Sequence, residues 1–203
     1  MYPSLEVVVT AGEACSLALM QKWADAVPCF INAYGPSETT VGSNAHVQLP
    51  GDTTVLIGGP MPNYKSYIVD KHFNPVPVGV PGELIIGGDG VGRGYLGKDD
   101  LTAEKFVDNP FHAGRCYKTG DLVRWRFGGS IEFLGRIDNQ VKIKGYRIEL
   151  GEIESVVSAC DGVKQVVALV KKDAKKQDQI VVYCSPTVRE NPMLQYSLTS
   201  YDI

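Results

Sequence analysis

The sequence of 203 residues lacks any apolar run close to the roughly 20 residues that a membrane-spanning helix needs. Its N-terminus also lacks a basic segment followed by an apolar stretch, so nothing indicates a secretory signal. Lysine and arginine, 20 together, are outnumbered by 23 acidic residues and form no basic stripe. Because nucleic-acid binding depends on such a stripe, we expect a soluble, cytoplasmic protein that binds neither nucleic acid nor a membrane.

Cysteine and histidine are both scarce. The five cysteines are odd in number and show no CxxC spacing, which argues against a disulfide framework and against a zinc site. The three histidines are isolated from one another, and a lone histidine is more often a surface residue than a metal ligand. We therefore expect no metal site built from these residue types.

The common phosphate-binding loops are also missing. The segment Gly82–Leu96 is rich in glycine, but its spacing fits neither GxGxxG nor GxxxxGK[ST]. Taken alone, it predicts a strand followed by a crowded glycine turn. Neither a dinucleotide fold nor a P-loop follows from it.

The chain begins with a pattern typical of α/β proteins. Leu5–Thr10 reads as a strand, Ser16 is a suitable helix cap before Leu17, and Cys29–Tyr34 reads as a second strand. This unit predicts the end of a parallel α/β sheet, in which ligands lie beyond the carboxyl ends of the strands. The loop after Tyr34 begins at such an end.

The middle of the chain, from Ser43 to Arg126, changes to short strands separated by proline and glycine turns. Tyr64–Asp70 and Glu83–Gly87 are examples, and the pattern predicts a small antiparallel β-barrel or sheet. One short helix is expected at Thr102–Phe106, with Thr102 as its cap.

After Gly135 the pattern changes again, and we expect a domain boundary near Asp138. A charged hairpin at Gln140–Glu149, turning at Gly145, leads into a helix and two further strands. These elements predict a truncated α+β subdomain. The helix residues expected to share one face are Ile153, Val156, Val157 and Cys160, and the strands are Val163–Val170 and Gln179–Cys184.

The segment Asn32–Thr40 combines an aromatic ring, a Gly-Pro turn, a hydroxyl and a carboxylate. The ring of Tyr34 can stack on a purine, the hydroxyl of Ser37 can donate to a phosphate, and the carboxylate of Glu38 suits Mg²⁺. Each feature alone is equally typical of a tight turn after a strand. What favours a nucleotide site over such a turn is the resemblance to a known family that is given next.

Four segments, in order between residues 32 and 154, resemble signatures of the adenylate-forming superfamily. Tyr34–Glu38 is similar to its Tyr-Gly-Pro-Thr-Glu motif, with Ser37 where Thr is usual. Gly82–Leu96 and Tyr117–Leu122 resemble two further signatures, and Gly135–Glu154 resembles the hinge and following loop. The ending at Glu154 looks like the form in adenylation domains of nonribosomal peptide synthetases rather than that in acyl-CoA synthetases and luciferases.

The resemblance implies a role for each matching residue. Tyr34 would stack on adenine, Glu38 would hold Mg²⁺, and Asp121 would grip the ribose. Arg136 would contact the phosphate or ribose, Asp138 would be the hinge pivot, and Lys142 would lie near the nucleotide. Catalytic residues are therefore expected to be Glu38, Ser37 and Arg136, and further nucleotide contacts Gly12, Asn32, Ala33 and Gly35. The acyl pocket would be lined by Val9, Ala11, Ala33, Val41 and Gly42.

The implied protein is an ATP-dependent, Mg²⁺-dependent ligase that forms an aminoacyl adenylate and passes it to a phosphopantetheine thiol. Its partners would be an amino acid, a peptidyl carrier protein domain and the rest of a multidomain synthetase. Two alternatives stay open: a fragment of an acyl-CoA synthetase-like ligase, and a non-catalytic nucleotide-binding remnant. An unrelated β-rich binding protein would require four ordered matches to be accidental.

The match implies three regions. Residues 1–137 would be the C-terminal part of the large adenylation subdomain, residues 138–186 the start of the small subdomain, and residues 187–203 a disordered or atypical tail. The sequence does not contain the family's Gly/Ser/Thr-rich phosphate loop or its C-terminal catalytic lysine. We therefore expect negligible adenylation activity from the isolated chain.

Overall fold

The structure, a computed structural model, describes residues 4–143, 146–174 and 177–186, together with the backbone of residues 194–197. The chain divides into two compact units, Met1–Asp138 and Asn139–Ile203. Each unit is described by itself. No helix in these described ranges is long and apolar enough to cross a membrane.

Within the described part of the first unit, nine strands form one sheet with two helices. The strands are β1 (Val7–Thr10), β2 (Cys29–Tyr34), β3 (Asn44–Gln48), β4 (Leu56–Pro60), β5 (Tyr64–Val69), β6 (Gly82–Gly88), β7 (Phe106–Asp108), β8 (Arg115–Trp125) and β9 (Ile131–Arg136). The helices are α1 (Leu17–Ala24) and α2 (Asp99–Lys105), and a 3-10 turn covers Ser37–Thr39.

The predicted strand–helix–strand unit is confirmed. Ser16 Oγ accepts a hydrogen bond from the amide of Leu19 at 3.2 Å, which satisfies one of the unpaired amides at the start of α1. β1 and β2 pair in parallel, with Thr10 opposite Asn32. Because α1 packs its buried Met20 against Phe30, it covers one face of these two strands.

The remaining strands of the sheet pair antiparallel, in the order β1-β2-β3-β4-β9-β8-β6-β5, with β7 on β8. β1 and β5 are the outer strands and do not pair with each other among the residues described. The barrel alternative of the sequence prediction is therefore wrong, and the antiparallel sheet alternative is right.

The core of this sheet lies on both faces of β6. Leu84 and Ile86 join one buried cluster, which includes Ile57, whereas Ile85 joins another with Cys116. Because successive side chains of a strand point to opposite faces, a strand buried on both faces reads as a continuous apolar run. The sequence Leu-Ile-Ile at 84–86 is such a run.

β8 changes its partner on one edge. Tyr117 pairs with β7 and Asp121 pairs with β9, while β6 follows the opposite edge for most of the strand. Gly120 lies at this change and has a φ of +70°, a conformation that glycine adopts without steric cost. Asp121 therefore begins a new stretch of pairing directly after an irregular point.

The prediction for the short helix is wrong at its start. α2 begins at Asp99 rather than Thr102, and its first turn holds Asp99 and Asp100, whose negative charges suit a helix N-terminus. Thr102 does not cap it, because its Oγ1 accepts a hydrogen bond from the amide of Tyr95 at 2.9 Å.

In the described part of the second unit, a hairpin precedes one helix and a three-stranded antiparallel sheet. The elements are β10 (Gln140–Ile143), β11 (Tyr146–Glu149), α3 (Leu150–Ser158), β12 (Val163–Lys172), β13 (Asp178–Pro186) and β14 (Leu194–Ser197). The predicted hairpin is confirmed, although its turn at Gly145 lies outside the described residues. Most of the predicted tail, 187–203, also lies outside them, and Leu194–Ser197 form β14 against β13.

The buried face of α3 differs from the predicted one. Leu150, Ile153 and Val157 pack with residues of β12 and β13, whereas Val156 is 70% exposed and Cys160 is also exposed. Because Leu150, Ile153 and Val157 follow helical spacing, they form the apolar stripe, and Val156 falls beside it.

Candidate functional site

The loop after β2 is closed by its own backbone. Ser43 donates its amide hydrogen to the carbonyl oxygen of Tyr34 at 2.9 Å, which brings the two ends of the loop together. A Cβ on Gly35 would lie 2.4 Å from the carbonyl oxygen of Val41, so only glycine fits there. The glycine of the Gly-Pro pair is therefore required by close packing of backbone.

Two neighbouring strands deliver their loops to one edge of the sheet. Since β1 and β2 are parallel, the loop with Ala11 and Gly12 leaves the sheet beside the loop that follows Tyr34. Val9 is 58% exposed and shares with Ala33 the face of the sheet opposite α1. Val9, Ala11, Gly12 and Ala33, which are predicted to line the acyl pocket or contact the nucleotide, therefore all belong to this edge of the sheet.

The loop carries backbone strain. Thr40 and Val41 have φ values of +57° and +69°, which side chains branched at Cβ seldom adopt. Strain of this kind persists only where surrounding contacts hold it, and it is frequent at ligand sites. Here Thr40 Oγ1 donates to the carbonyl oxygen of Gly90 at 2.8 Å. The hydroxyl of Tyr64 donates to the carbonyl oxygen of Thr39, also at 2.8 Å.

Three predicted site residues meet in one hydrogen-bonded group. Tyr34 donates its phenol hydrogen to Oδ2 of Asp121, and Arg136 Nη1 donates to Oδ1 of the same carboxylate at 2.7 Å. Arg136 and Asp121 have side chains only 14% and 10% exposed. Residues from β2, β8 and β9 therefore build one charged centre at the sheet.

The electrostatics of this centre keep Tyr34 protonated. Burial raises the pKa of the Tyr34 phenol well above its ordinary value, and the neighbouring Asp121 carboxylate raises it further. The phenol is therefore a permanent hydrogen-bond donor. A carboxylate offers about four lone-pair sites, so the bonds from Tyr34 and Arg136 do not by themselves saturate Asp121 as an acceptor.

Asp121 is fixed by its neighbours in β8. Its amide donates to Thr119 Oγ1 at 3.0 Å, and that hydroxyl donates in turn to the carbonyl oxygen of Leu84 at 2.7 Å. The amide of Gly120 donates to Glu83 Oε1 at 3.0 Å. β6 therefore holds the backbone that presents the carboxylate.

Asp138 joins the group through the same arginine. Its Oδ1 accepts from Arg136 Nε at 2.6 Å and its Oδ2 from Nη2 at 2.5 Å, a two-pronged pair that fixes the plane of the guanidinium. A Cβ on Gly120 would lie 2.7 Å from Arg136 Nη2. A side chain at position 120 would therefore collide with the guanidinium of Arg136.

Glu38 belongs to a second group, built around its carboxylate. Oε1 accepts the hydroxyl hydrogens of Tyr95 at 2.6 Å and Tyr117 at 3.0 Å, and the two hydroxyl oxygens lie 3.3 Å apart. Gly92 donates its amide hydrogen to the carbonyl oxygen of Glu38 at 2.8 Å. Both the side chain and the backbone of Glu38 are held by residues distant in sequence.

The residues present fit a weakly chelated Mg²⁺ rather than a closed protein site. Among the residues that the structure describes, no group of three or more His, Cys, Asp or Glu side chains could hold a metal. Mg²⁺ at nucleotide sites is commonly bound by one or two carboxylates together with phosphates and water. Glu38 can supply such a carboxylate.

The other predicted contact residues differ in what they offer. Ser37 is exposed on the 3-10 turn, so its hydroxyl is accessible. The Asn32 side chain is 3% exposed, and its amide nitrogen donates to the carbonyl oxygen of Leu56 at 2.8 Å, so this side chain supports the sheet. Lys142 lies exposed in the second unit, on β10 opposite Arg147.

Sequence reasoning missed the partners of Glu38. Tyr95 lies in the glycine-rich segment, which by itself predicts only a strand and a turn, and Tyr117 begins the signature Tyr117–Leu122. A tyrosine inside each signature was the available signal, because a hydroxyl on a buried ring needs a partner. The presence of a tyrosine in each signature does not, however, identify Glu38 as the carboxylate that the two hydroxyls contact.

A family model described as AMP-binding enzyme matches residues 1–96. Bacitracin synthase 3 of Bacillus licheniformis is 48% identical over 181 residues, which are 89% of this chain but only 3% of that protein. This chain therefore corresponds to a small part of the curated relative, and the similarity continues well beyond residue 96.

Two solved structures are similar over most of the chain. PA1221, a nonribosomal peptide synthetase protein containing adenylation and peptidyl carrier domains, superimposes with a TM-score of 0.80 at 26% identity, over 93% of this chain and 39% of that one. AB3403, a four-domain nonribosomal peptide synthetase bound to AMP and glycine, gives a TM-score of 0.61 at 40% identity, over 90% of this chain and 14% of that one.

Proposed function

Since this chain belongs to the family of AMP-binding enzymes, we propose that it is part of an adenylation domain that activates an amino acid with ATP. The carboxylate of the amino acid would attack the α-phosphorus of ATP, pyrophosphate would leave, and the aminoacyl group would pass to the phosphopantetheine thiol of a carrier domain. The carrier domain of PA1221 and the AMP and glycine bound to AB3403 support this reading.

The observation that carries the proposal is the meeting of Tyr34, Asp121 and Arg136. These residues come from separate segments of the chain, yet the carboxylate of Asp121 accepts hydrogen bonds from both Tyr34 and Arg136. A buried ion pair stabilises a fold only weakly, so its presence at a loop-lined edge favours a binding role. An aromatic ring beside a carboxylate is suited to an adenine and a ribose respectively.

Each residue then has a chemical task. Tyr34 would stack on adenine while Asp121 accepts hydrogen bonds from the ribose hydroxyls. Ser37 would donate to a phosphate oxygen, and the carboxylate of Glu38 would bind Mg²⁺, which when bound neutralises phosphate charge. Catalysis of this kind depends on positioning and on charge compensation around the phosphorus.

The acyl pocket would lie on the open face of β1 and β2. Val9 and Ala33 share that face, and Val41 is 75% exposed in the strained loop. These small or apolar side chains suit a sizeable or apolar amino acid side chain. Ala11, Gly12 and Gly42 would allow close approach of the substrate, because they add little or no side-chain volume.

Asp138 would act as the hinge pivot, since the boundary between the two compact units falls directly after it. Rotation there would let one site serve adenylation first and thiol transfer second, a slow gating motion known from other enzymes. Lys142 of the second unit would reach the nucleotide in one of these states.

Calorimetry with AMP tests the nucleotide site in this chain. We expect saturable binding that Asp121→Asn weakens at least tenfold, because the ribose would lose its charged acceptor. The matched control is Asp70→Asn, which alters an exposed turn carboxylate that accepts hydrogen bonds from His72 and Asn74 of its own loop.

Amino-acid-dependent exchange of labelled pyrophosphate into ATP tests the chemistry. We expect this chain alone to show no exchange above a Glu38→Ala control, and to bind AMP nonetheless. Exchange clearly above that control would contradict the expected inactivity. Absence of AMP binding in a folded chain would reject the nucleotide site itself.

A further inference from the structure

The glycine-rich segment Gly88–Leu96 contacts the Glu38 turn at several points, although its sequence reads as structural. Gly92 donates its amide hydrogen to the carbonyl oxygen of Glu38, and the carbonyl oxygen of Gly90 accepts from Thr40 Oγ1, both at 2.8 Å. A Cβ on Gly92 would lie 3.2 Å from the same Glu38 oxygen. The glycines therefore let this backbone lie directly against the turn that carries the carboxylate.

Tyr95, at the end of this segment, extends the contact to the carboxylate itself. Its hydroxyl donates to Glu38 Oε1 at 2.6 Å, the shorter of the two phenol contacts to that oxygen. Its ring packs edge-on against Phe106, with centroids 5.3 Å apart, and its amide is held by Thr102 Oγ1. Ring, backbone and hydroxyl of Tyr95 are thus all fixed.

We propose that Tyr95, assisted by Tyr117, is a positioning residue for Glu38: the two phenols hold one carboxylate oxygen so that the carboxylate is oriented before Mg²⁺ and the triphosphate arrive. The inference rests on the proposed function, in which Glu38 binds Mg²⁺. A glutamate loses side-chain entropy when it is fixed in one conformation. Phenols that fix it beforehand remove part of that cost from metal binding.

The hydroxyl of Tyr95 is a dependable donor. It donates to Glu38 Oε1 at 2.6 Å, and its oxygen lies 3.3 Å from the hydroxyl oxygen of Tyr117. Tyr117 is fully buried, and its ring lies 5.1 Å from that of Phe106. Phe106 therefore packs against both tyrosines and keeps their hydroxyls on the same oxygen.

The first arm of the test measures the order of the Glu38 side chain without any nucleotide. Methylene relaxation by NMR should report a restricted Glu38 side chain in the wild-type chain and a clearly lower order parameter in Tyr95→Phe. Tyr67→Phe is the matched control, because it also removes one phenol oxygen of the same sheet, where Tyr67 accepts from Asn109 Nδ2. An unchanged order parameter in Tyr95→Phe would overturn the proposal.

The second arm measures ATP binding as the Mg²⁺ concentration is varied. We expect Tyr95→Phe to raise the Mg²⁺ concentration for half-maximal binding about three- to tenfold, since a hydrogen bond to a charged group is lost. AMP binding without Mg²⁺ should stay within about twofold of wild type, because Tyr34 and Asp121 are untouched. Tyr117→Phe should show the same pattern, and Tyr67→Phe should not.

The outcomes separate this inference from the proposed function. If Tyr95→Phe weakens AMP and Mg²⁺-ATP equally, Tyr95 supports the fold in general and the positioning role is wrong. If the wild-type chain binds no nucleotide, the proposed function fails, and the NMR arm still decides whether Tyr95 fixes Glu38. Phenylalanine keeps the ring contact with Phe106, so loss of folding is not expected to obscure the result.

Discussion

The phenol of Tyr34 donates a hydrogen bond to Oδ2 of Asp121, although 87 positions separate the two residues. One residue ends β2, and the other follows the irregular point of β8 at Gly120. The contact joins the α/β end of the sheet to its antiparallel part. It also places an aromatic ring beside the carboxylate to which Arg136 is bound.

Replacing Tyr34 separates its two roles. Tyr34→Phe should lower the free energy of unfolding by about 2 kcal/mol, because a hydrogen bond to a charged group is lost. It should weaken AMP binding less than about threefold, since the ring that would stack on adenine remains. Tyr34→Ala should weaken AMP binding tenfold or more, because stacking of a base on an aromatic ring contributes about 1–3 kcal/mol to binding.

Urea unfolding and calorimetry on the same preparations measure both quantities, with Tyr67→Phe as the control. Equal loss of AMP binding in Tyr34→Phe and Tyr34→Ala would mean that the hydroxyl, and not the ring, contacts the nucleotide. The stacking role would then have to be abandoned.

Gly120 offers a test in which steric crowding is separated from backbone strain. An alanine Cβ there would meet Arg136 Nη2 at 2.7 Å and Asp138 Oδ2 at 2.9 Å, in a residue with φ +70°. Gly129→Ala is the matched control, because its φ is +83° but its Cβ would have nothing within 4 Å. Both variants should lose about 1 kcal/mol of stability from the left-handed backbone.

Only Gly120→Ala should displace the arginine and weaken AMP binding, by about tenfold if one charge-assisted contact is lost. Calorimetry on the two variants makes the comparison. A Gly120→Ala chain that binds AMP as well as Gly129→Ala does would show that the position of Arg136 is unimportant for the nucleotide.

The outcome of sequence reasoning differed between local and distant contacts. The β1–α1–β2 unit was predictable because Ser16 caps the helix locally and the apolar periodicities are local signals. The partners of Glu38 were not, since Tyr95 and Tyr117 lie 57 and 79 positions away. Alternation along a strand assigns a face to a residue but does not determine which strand lies beside it.

The same limit applies to individual side chains. Thr102 has the chemistry of a helix cap, but its hydroxyl oxygen accepts a hydrogen bond from the amide of Tyr95 in a neighbouring loop. Asn32 has the chemistry of a ligand contact, but its amide reaches the carbonyl oxygen of Leu56 on β4. The chemistry of a side chain determines which hydrogen bonds it can form, and the tertiary structure determines which partner it meets.

Arg136 should not tolerate lysine. It bonds Asp121 through one nitrogen and Asp138 through two others, a planar arrangement that an ammonium group cannot reproduce. Arg136→Lys should lower the free energy of unfolding by about 2 kcal/mol and weaken AMP binding tenfold or more. Denaturant titration and calorimetry measure the two effects.

Arg124→Lys is the control for this change. Arg124 pairs with Glu132 at 2.7 Å between the same two strands, but its side chain is 33% exposed. Such a partly exposed pair contributes little to stability, and no nucleotide role is proposed for it. Should Arg136→Lys bind AMP normally while losing stability, the arginine would be a structural element of the sheet only.

The buried thiol of Cys116 predicts a loss of stability at alkaline pH. Burial raises the pKa of the Cys116 thiol to about 11, about two units above that of an ordinary thiol, and the side chain is fully buried between β6 and β7. Because the folded pKa lies above the unfolded one, the contribution to stability is present below pH 9 and is lost as the pH rises towards about 11. Tyr34 and Tyr95, whose pKa values are also raised, act with the same sign at still higher pH.

Urea unfolding should therefore give a free energy of unfolding that is lower at pH 10.5 than at pH 8. Ionisation of the Cys116 thiol should account for about 2 kcal/mol of this decrease. Cys116→Ala removes the titrating group, so its stability should be lower at pH 8 but should fall less between the two pH values. At pH 8, iodoacetamide followed by peptide mass spectrometry should label the exposed Cys160 well before Cys116. Equal pH dependence of wild type and Cys116→Ala would mean that the thiol ionises as readily in the folded chain as in the unfolded one.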